Sequence, residues 1–151
     1  MDLPDWGLKR VLAKIDTGAN TSVIDVRSLE HLPDDRVRFE VVYRTKPTRR
    51  TRWIEAEAVR WSVVKNTGGK PQERVVCRTK IRIGELEQMI ELSLVARPRM
   101  RCRMLIGRRA LKGVFLVDPA HVNVLTPRRV TTSKSKPSNK SNSKPSARKP
   151  K

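Results

Sequence analysis

The sequence predicts a mostly β fold: a small, closed, barrel-like domain with one short helix and a disordered basic tail. Two observations carry this. Runs of alternating apolar and polar residues recur along the middle of the chain, and that period of two marks a half-buried strand. Helical periodicity is scarce, and residues 28–32 are too few to count as a helix.

The first element is the apolar run Leu12-Ala13-Lys14-Ile15, which leads into Asp16-Thr17-Gly18 and then Ala19-Asn20-Thr21-Ser22. It presents a carboxylate at a strand end, on a tight turn that glycine permits, with a hydroxyl beside it. Next, Val37, Phe39, Val41 and Tyr43 alternate with Arg38, Glu40 and Val42. A further alternating stretch covers 52–64 and is broken by Asn66-Thr67-Gly68-Gly69-Lys70-Pro71, which reads as a hairpin tip. Val75, Cys77, Thr79, Ile81 and Ile83 then share one face, with Arg78, Lys80 and Arg82 on the other. A turn around Gly84-Glu85-Leu86-Glu87 precedes a run with Ile90, Leu92, Leu94 and Ala96 on one side. Met104-Leu105-Ile106 is an apolar strand entering Gly107, and residues 108–112 give the one short helix. Residues 114–117 and 122–125 are expected as short strands separated by Asp118-Pro119.

Composition limits the function classes. The chain has 151 residues, with 34 Lys and Arg against 15 Asp and Glu. Seven of the basic residues and no acid lie in 131–151, a Ser/Lys/Pro/Asn stretch too polar to offset its ordering entropy. The domain is therefore expected over 1–130 and the tail over 131–151. The body is basic in its own right, which favours polyanionic partners such as RNA, DNA or acidic peptides. Cys77 and Cys102 stand far apart, which fits neither a disulfide framework nor a metal cluster and suits the cytoplasm. No apolar run reaches membrane-spanning length, and no signal-peptide layout opens the chain. Trp6, Trp53 and Trp61 lie among arginines; such surfaces can stack on single-stranded nucleic acid, but strand tryptophans are expected in the core.

Asp-Thr-Gly in this context, a glycine hairpin downstream, and an apolar-apolar-Gly-Arg element near the domain's end occur in order. With these three features the chain resembles the retropepsin-like aspartic peptidases. In that family one subunit offers the Asp-Thr-Gly loop, a hairpin flap, and an apolar-apolar-Gly-Arg segment threading behind the catalytic loop. A closer resemblance is to the bacterial retropepsin-like group named ATP-dependent zinc proteases and linked to RimK-type ligases. The shared wording includes Leu3-Pro4-Asp5, Ala13-Lys14-Ile15-Asp16-Thr17-Gly18-Ala19, Met104-Leu105-Ile106-Gly107-Arg108 and Leu111-Lys112-Gly113-Val114-Phe115-Leu116-Val117-Asp118-Pro119.

The resemblance implies catalytic roles for Asp16, Thr17 and Gly18, and substrate contacts from Ala19, Gly68 and Gly69. It implies support of the loop by Ile106, Gly107 and Arg108. Retroviral members carry an acid where Asn20 stands, paired with the arginine after the second glycine, so Arg108 must find another partner. The chemistry needs two aspartates and the chain has one such loop, so a homodimer is expected, with a peptide or protein substrate. The ligase link suggests an acidic substrate and a RimK-type ligase as a partner. No cofactor and no metal are expected. His31 and His121 lack ligand spacing, and Pro71 follows Lys70 where a phosphate loop has Ser or Thr. The competing expectation is a non-catalytic binder that uses the basic surface to contact RNA, ribosome or acidic peptide.

Overall fold

The computed structural model describes residues 1–45, 47–65 and 71–125. Seven strands follow in order: β1 (Ala13–Ile15), β2 (Ser22–His31), β3 (Arg36–Arg44), β4 (Arg50–Lys65), β5 (Pro71–Ile83), β6 (Leu86–Val95) and β7 (Met104–Ile106). Antiparallel pairing links β2 to β3, β3 to β4, β4 to β5 and β5 to β6. β6 then returns to β2 in parallel, from Ser22 opposite Leu92 to Asp25 opposite Val95. Five strands thus close a ring, from which β7 and β1 extend.

β2 serves both ends of the ring because it changes partner along its length. Its first half pairs with β6 and β7, and its second half with β3. The register slips between Val26 and Ser28, leaving Arg27 as an extra residue, and such a bulge bends the strand. The half held on both sides is buried at every position, so it shows no alternation. This strand escapes the sequence reading for that reason.

The apolar faces read from the sequence point inward. Val37, Phe39 and Val41 of β3, and Val75, Cys77 and Ile81 of β5, are fully buried. The opening segment caps one end of this core. Leu3 and Leu8 are buried and bridged to each other, and Trp6 meets Phe39 edge-on at 5.2 Å. The Asp5 carboxylate accepts the Lys80 amide, and Arg52 Nη1 donates to the Gly7 carbonyl, tying the segment to β5 and β4.

Four expectations need correction. The helix at 108–112 is a single 3-10 turn, Arg108–Ala110, and a second such turn forms at Pro4–Trp6. The turn after β5 is only Gly84-Glu85, with Gly84 left-handed at φ 63°, and Leu86 already begins β6. Residues 114–117 and 122–125 make no ladder among the described residues and are turn and coil. Trp6 is core, but Trp53 and Trp61 are 42% and 38% exposed. They sit on outward-facing positions of β4, where Arg38 packs over the Trp53 ring and the His31 ring stacks on Trp61, sheltering each indole without burying it. The tail 131–151 lies outside the described residues. Among the described residues no helix is long and apolar enough to cross a membrane.

Candidate active site

β1 and β7 run parallel with Ala13 opposite Met104 and Ile15 opposite Ile106. The pairing continues one step further, because the Asp16 amide donates to the Ile106 carbonyl at 2.9 Å. Asp16 therefore leaves the sheet edge in a fixed direction. Its Oδ1 accepts the amides of Gly18 (3.1 Å) and Ala19 (3.2 Å), so the carboxylate folds back on its own turn. Oδ2 has no partner among the described residues.

Gly18 does not play the part in the turn that the sequence suggested. Its backbone is not left-handed. A Cβ on it would instead sit 3.3 Å from Asp16 Oδ1, crowding the carboxylate that the loop presents. Thr17 is exposed beside it.

The loop is braced from behind by the segment after β7. The Arg108 amide donates to the Ala19 carbonyl, and the Arg109 amide to the Asn20 carbonyl. Arg108 Nη1 reaches the carbonyls of Thr17 (2.8 Å) and Gly18 (3.0 Å). These carbonyls are the partner that Arg108 takes in the absence of an acid at position 20. Gly107 lies between, its amide donating to the buried Ser22 hydroxyl at 3.1 Å. A Cβ at Gly107 would come within 2.6 Å of the Thr21 carbonyl carbon and 2.8 Å of the Asn20 oxygen. Only glycine lets the two segments cross this closely.

The structure thus brings Asp16, Thr17, Gly18, Ala19, Ile106, Gly107 and Arg108 into one unit. Gly68 and Gly69 lie outside the described residues. The arms that carry them are antiparallel and reach Lys65 opposite Pro71. Ser22 is the supporting residue that sequence reasoning missed, and a lone hydroxyl at a strand start carries no signal of its role. Among the described residues no group of three or more His, Cys, Asp or Glu is arranged to hold a metal ion. A cleft of about 340 Å³ flanks the brace, lined in part by Thr21, Ser22, Arg78, Glu91 and Arg109. A larger hollow, about 540 Å³, lies away from the loop between Pro4–Trp6 and β4.

A carboxylate on a turn locked from behind by a Gly-Arg crossing is the arrangement that the resemblance to retropepsin-like proteins implies. The family profile described as RimB-like, the retropepsin-like aspartic endopeptidase RimB, matches residues 1–128. The chain belongs to this family. It is 34% identical over 121 residues to a probable alpha-L-glutamate ligase of Parasynechococcus marenigrum, and 29% identical over 120 residues to one of Desulfotalea psychrophila. Each match covers 78% of this chain but 26% of the relative, so the chain spans about a quarter of the curated relatives it matches. A crystal structure of a Legionella pneumophila protein of unknown function is also similar, with TM-score 0.65 and 28% identity over 82% of this chain and 91% of that one. RimB-like membership accounts for the loop and its brace together.

Proposed function

We propose that this RimB-like protein is an aspartic endopeptidase that works as a homodimer, two Asp16 carboxylates holding one water. The observation that carries the reading is the Asp16 loop: Oδ1 is pinned by two amides, Oδ2 has no partner among the described residues, and the backbone is locked by Arg108. Hydrolysis needs a second carboxylate. Two carboxylates about 3 Å apart cannot both ionise, so one keeps a proton and the pair shares it. The ionised member draws a proton from water while the protonated member hydrogen-bonds the substrate carbonyl. With one such loop per chain, the second comes from a twofold-related copy.

The segment after the brace supports assembly. Leu116 is fully exposed, and Val122, Val124 and Leu125 are mostly so. Beyond Phe115 the described backbone makes one backbone–backbone bond, from the His121 amide to the Asp118 carbonyl. A strand-forming sequence with exposed apolar side chains and no ladder lacks the partner it would pair with, and a second copy can supply one.

The matched relatives named probable alpha-L-glutamate ligases, and the basic body of this chain, support an acidic peptide as substrate. The hairpin of β4 and β5 would close over it.

The decisive experiment is Asp16→Asn. Cleavage of glutamate-rich peptides, followed by mass spectrometry, is expected to fall at least about a thousandfold. Sedimentation and circular dichroism should be unchanged. Undiminished cleavage in the variant overturns the reading, and unchanged partner binding without any cleavage in either protein favours a non-catalytic binder.

A further inference from the structure

We infer that the loop between β6 and β7, residues 96–103, selects acidic substrates, and that Arg97, Arg99 and Arg101 do the selecting. This rests on the peptidase reading above. Residues 92–117 contain seven Arg and Lys and no Asp or Glu. Asp25, 3% exposed, holds the loop in place. Its Oδ1 accepts the Arg97 amide at 2.8 Å, and its Oδ2 accepts Arg103 Nη1 at 2.6 Å. Arg103 Nη1 also donates to the Pro98 carbonyl, and the Asp25 amide donates to the Arg103 carbonyl. The one buried carboxylate is therefore consumed by Arg103.

Arg97, Arg99 and Arg101 are left exposed, and among the described residues no carboxylate pairs with their guanidiniums. Several arginines of the β2–β4 surface are treated differently. Arg27, Arg36 and Arg38 each lie against a glutamate: Glu40, Glu55 and Glu30. Unpaired guanidiniums on a loop already fixed by its own hydrogen bonds are pre-organised for a carboxylate, which the guanidinium fork meets with two parallel bonds.

The loop's place in the chain says which anion. It feeds β7, and three residues later β7 delivers the Ile106 carbonyl to the Asp16 amide. That strand spans roughly 10 Å at 3.3 Å per residue. An extended peptide covers the same distance in about three residues. A run of acidic residues crossing the Asp16 loop can therefore set later carboxylates against these arginines. A nucleic acid strand shares the charge but has no reason to lie next to the peptidase loop.

The test uses two labelled peptides of equal length, one with a run of glutamates and one with glutamines in the same places. Wild-type protein is compared with R97Q/R99Q/R101Q and with R97K/R99K/R101K. Wild type is expected to prefer the glutamate peptide in kcat/KM. The glutamine variant should lose about tenfold of that preference, chiefly through KM, and the lysine variant, which keeps the charge but not the fork, should fall between the two. An unaltered preference in the glutamine variant, or none in wild type, overturns the inference. Anisotropy in the Asp16→Asn background separates this from failure of the peptidase reading. If nothing is cleaved, glutamate-peptide binding about tenfold weaker with the three glutamines still supports the loop, and equal binding overturns it. An RNA oligomer of equal charge, bound more tightly than the peptide and released by the same substitutions, overturns it in favour of nucleic acid.

Discussion

Gly107 is the residue on which the crossing of two chain segments depends. The Asn20 oxygen that a Cβ would strike is held by the Arg109 amide, and the preceding Ala19 carbonyl by the Arg108 amide, so this backbone cannot yield without unlocking the loop. Gly107→Ala should destabilise the fold by about 1–3 kcal/mol, as overpacking does, and should lower activity beyond what the lost stability explains. Urea midpoints beside peptidase assays of the folded fraction check both. Asp16 was legible in the sequence because local chemistry marks it, a carboxylate at a strand end on a glycine turn, whereas Ile106, Gly107 and Arg108 were legible only through the family resemblance. Ser22 and Asp25 were not, since each acts on a segment roughly eighty residues away and looks ordinary among its neighbours. The cysteines give a second residue-scale prediction. Burial pushes the Cys77 thiol up from an ordinary 9.0 to about 12, whereas Cys102 is half-buried in the arginine loop. At pH 8 a thiol reagent should label Cys102 and spare Cys77 until the protein is unfolded. The unfolded chain loses the Cys77 proton near pH 9 while the native state keeps it. The stability contribution is therefore present below pH 9 and falls as pH rises above it. Prompt native labelling of both thiols would contradict the buried placement.

At the scale of elements, legibility followed burial pattern. Strands with one face in the core, β3 and the latter part of β5, alternate and were found; β2, clasped on both sides and then bulged, does not and was missed. The opposite failure occurred at 114–117 and 122–125. There the residues have strand character, but a ladder needs a partner, and a single chain offers them none among the described residues. The tryptophans show the same limit. Trp53 and Trp61 sit on outward positions, and whether an indole there is bare or sheltered depends on Arg38 and His31, which come from other strands, β3 and β2. The inward face is where an element-scale substitution is costly. Phe39 is fully buried at the junction of β3 with the opening segment, packed edge-on against Trp6. Phe39→Ala should remove about 3–5 kcal/mol, a large share of the 5–15 kcal/mol typical of a domain. It should also loosen residues 1–11, so hydrogen exchange at the Leu3 and Leu8 amides, which pair across that segment, should quicken more than exchange in β5. A loss below about 1 kcal/mol would mean the opening segment does not depend on this contact.

For the whole molecule, charge and assembly oppose each other. Each chain carries a formal net charge of +19, so two copies repel as they approach, while the apolar side chains at 116–125 favour contact. Added salt shortens the reach of the repulsion from about 30 Å at 0.01 M to about 10 Å at 0.1 M, and leaves apolar burial intact. Salt should therefore strengthen the dimer. It should weaken capture of an acidic substrate by the same screening. At enzyme concentrations near the dimer dissociation constant, the rate on a glutamate peptide is expected to rise with salt, pass a maximum and fall. At concentrations well above it, where assembly is already complete, only the fall should remain. On the neutral glutamine peptide only the rise should appear, and only at low enzyme. Rates at several enzyme concentrations across a salt series, read beside sedimentation at the same points, test all three curves. A purely falling curve at every enzyme concentration would mean that activity does not wait on a second copy, and the paired Asp16 mechanism would fail with it.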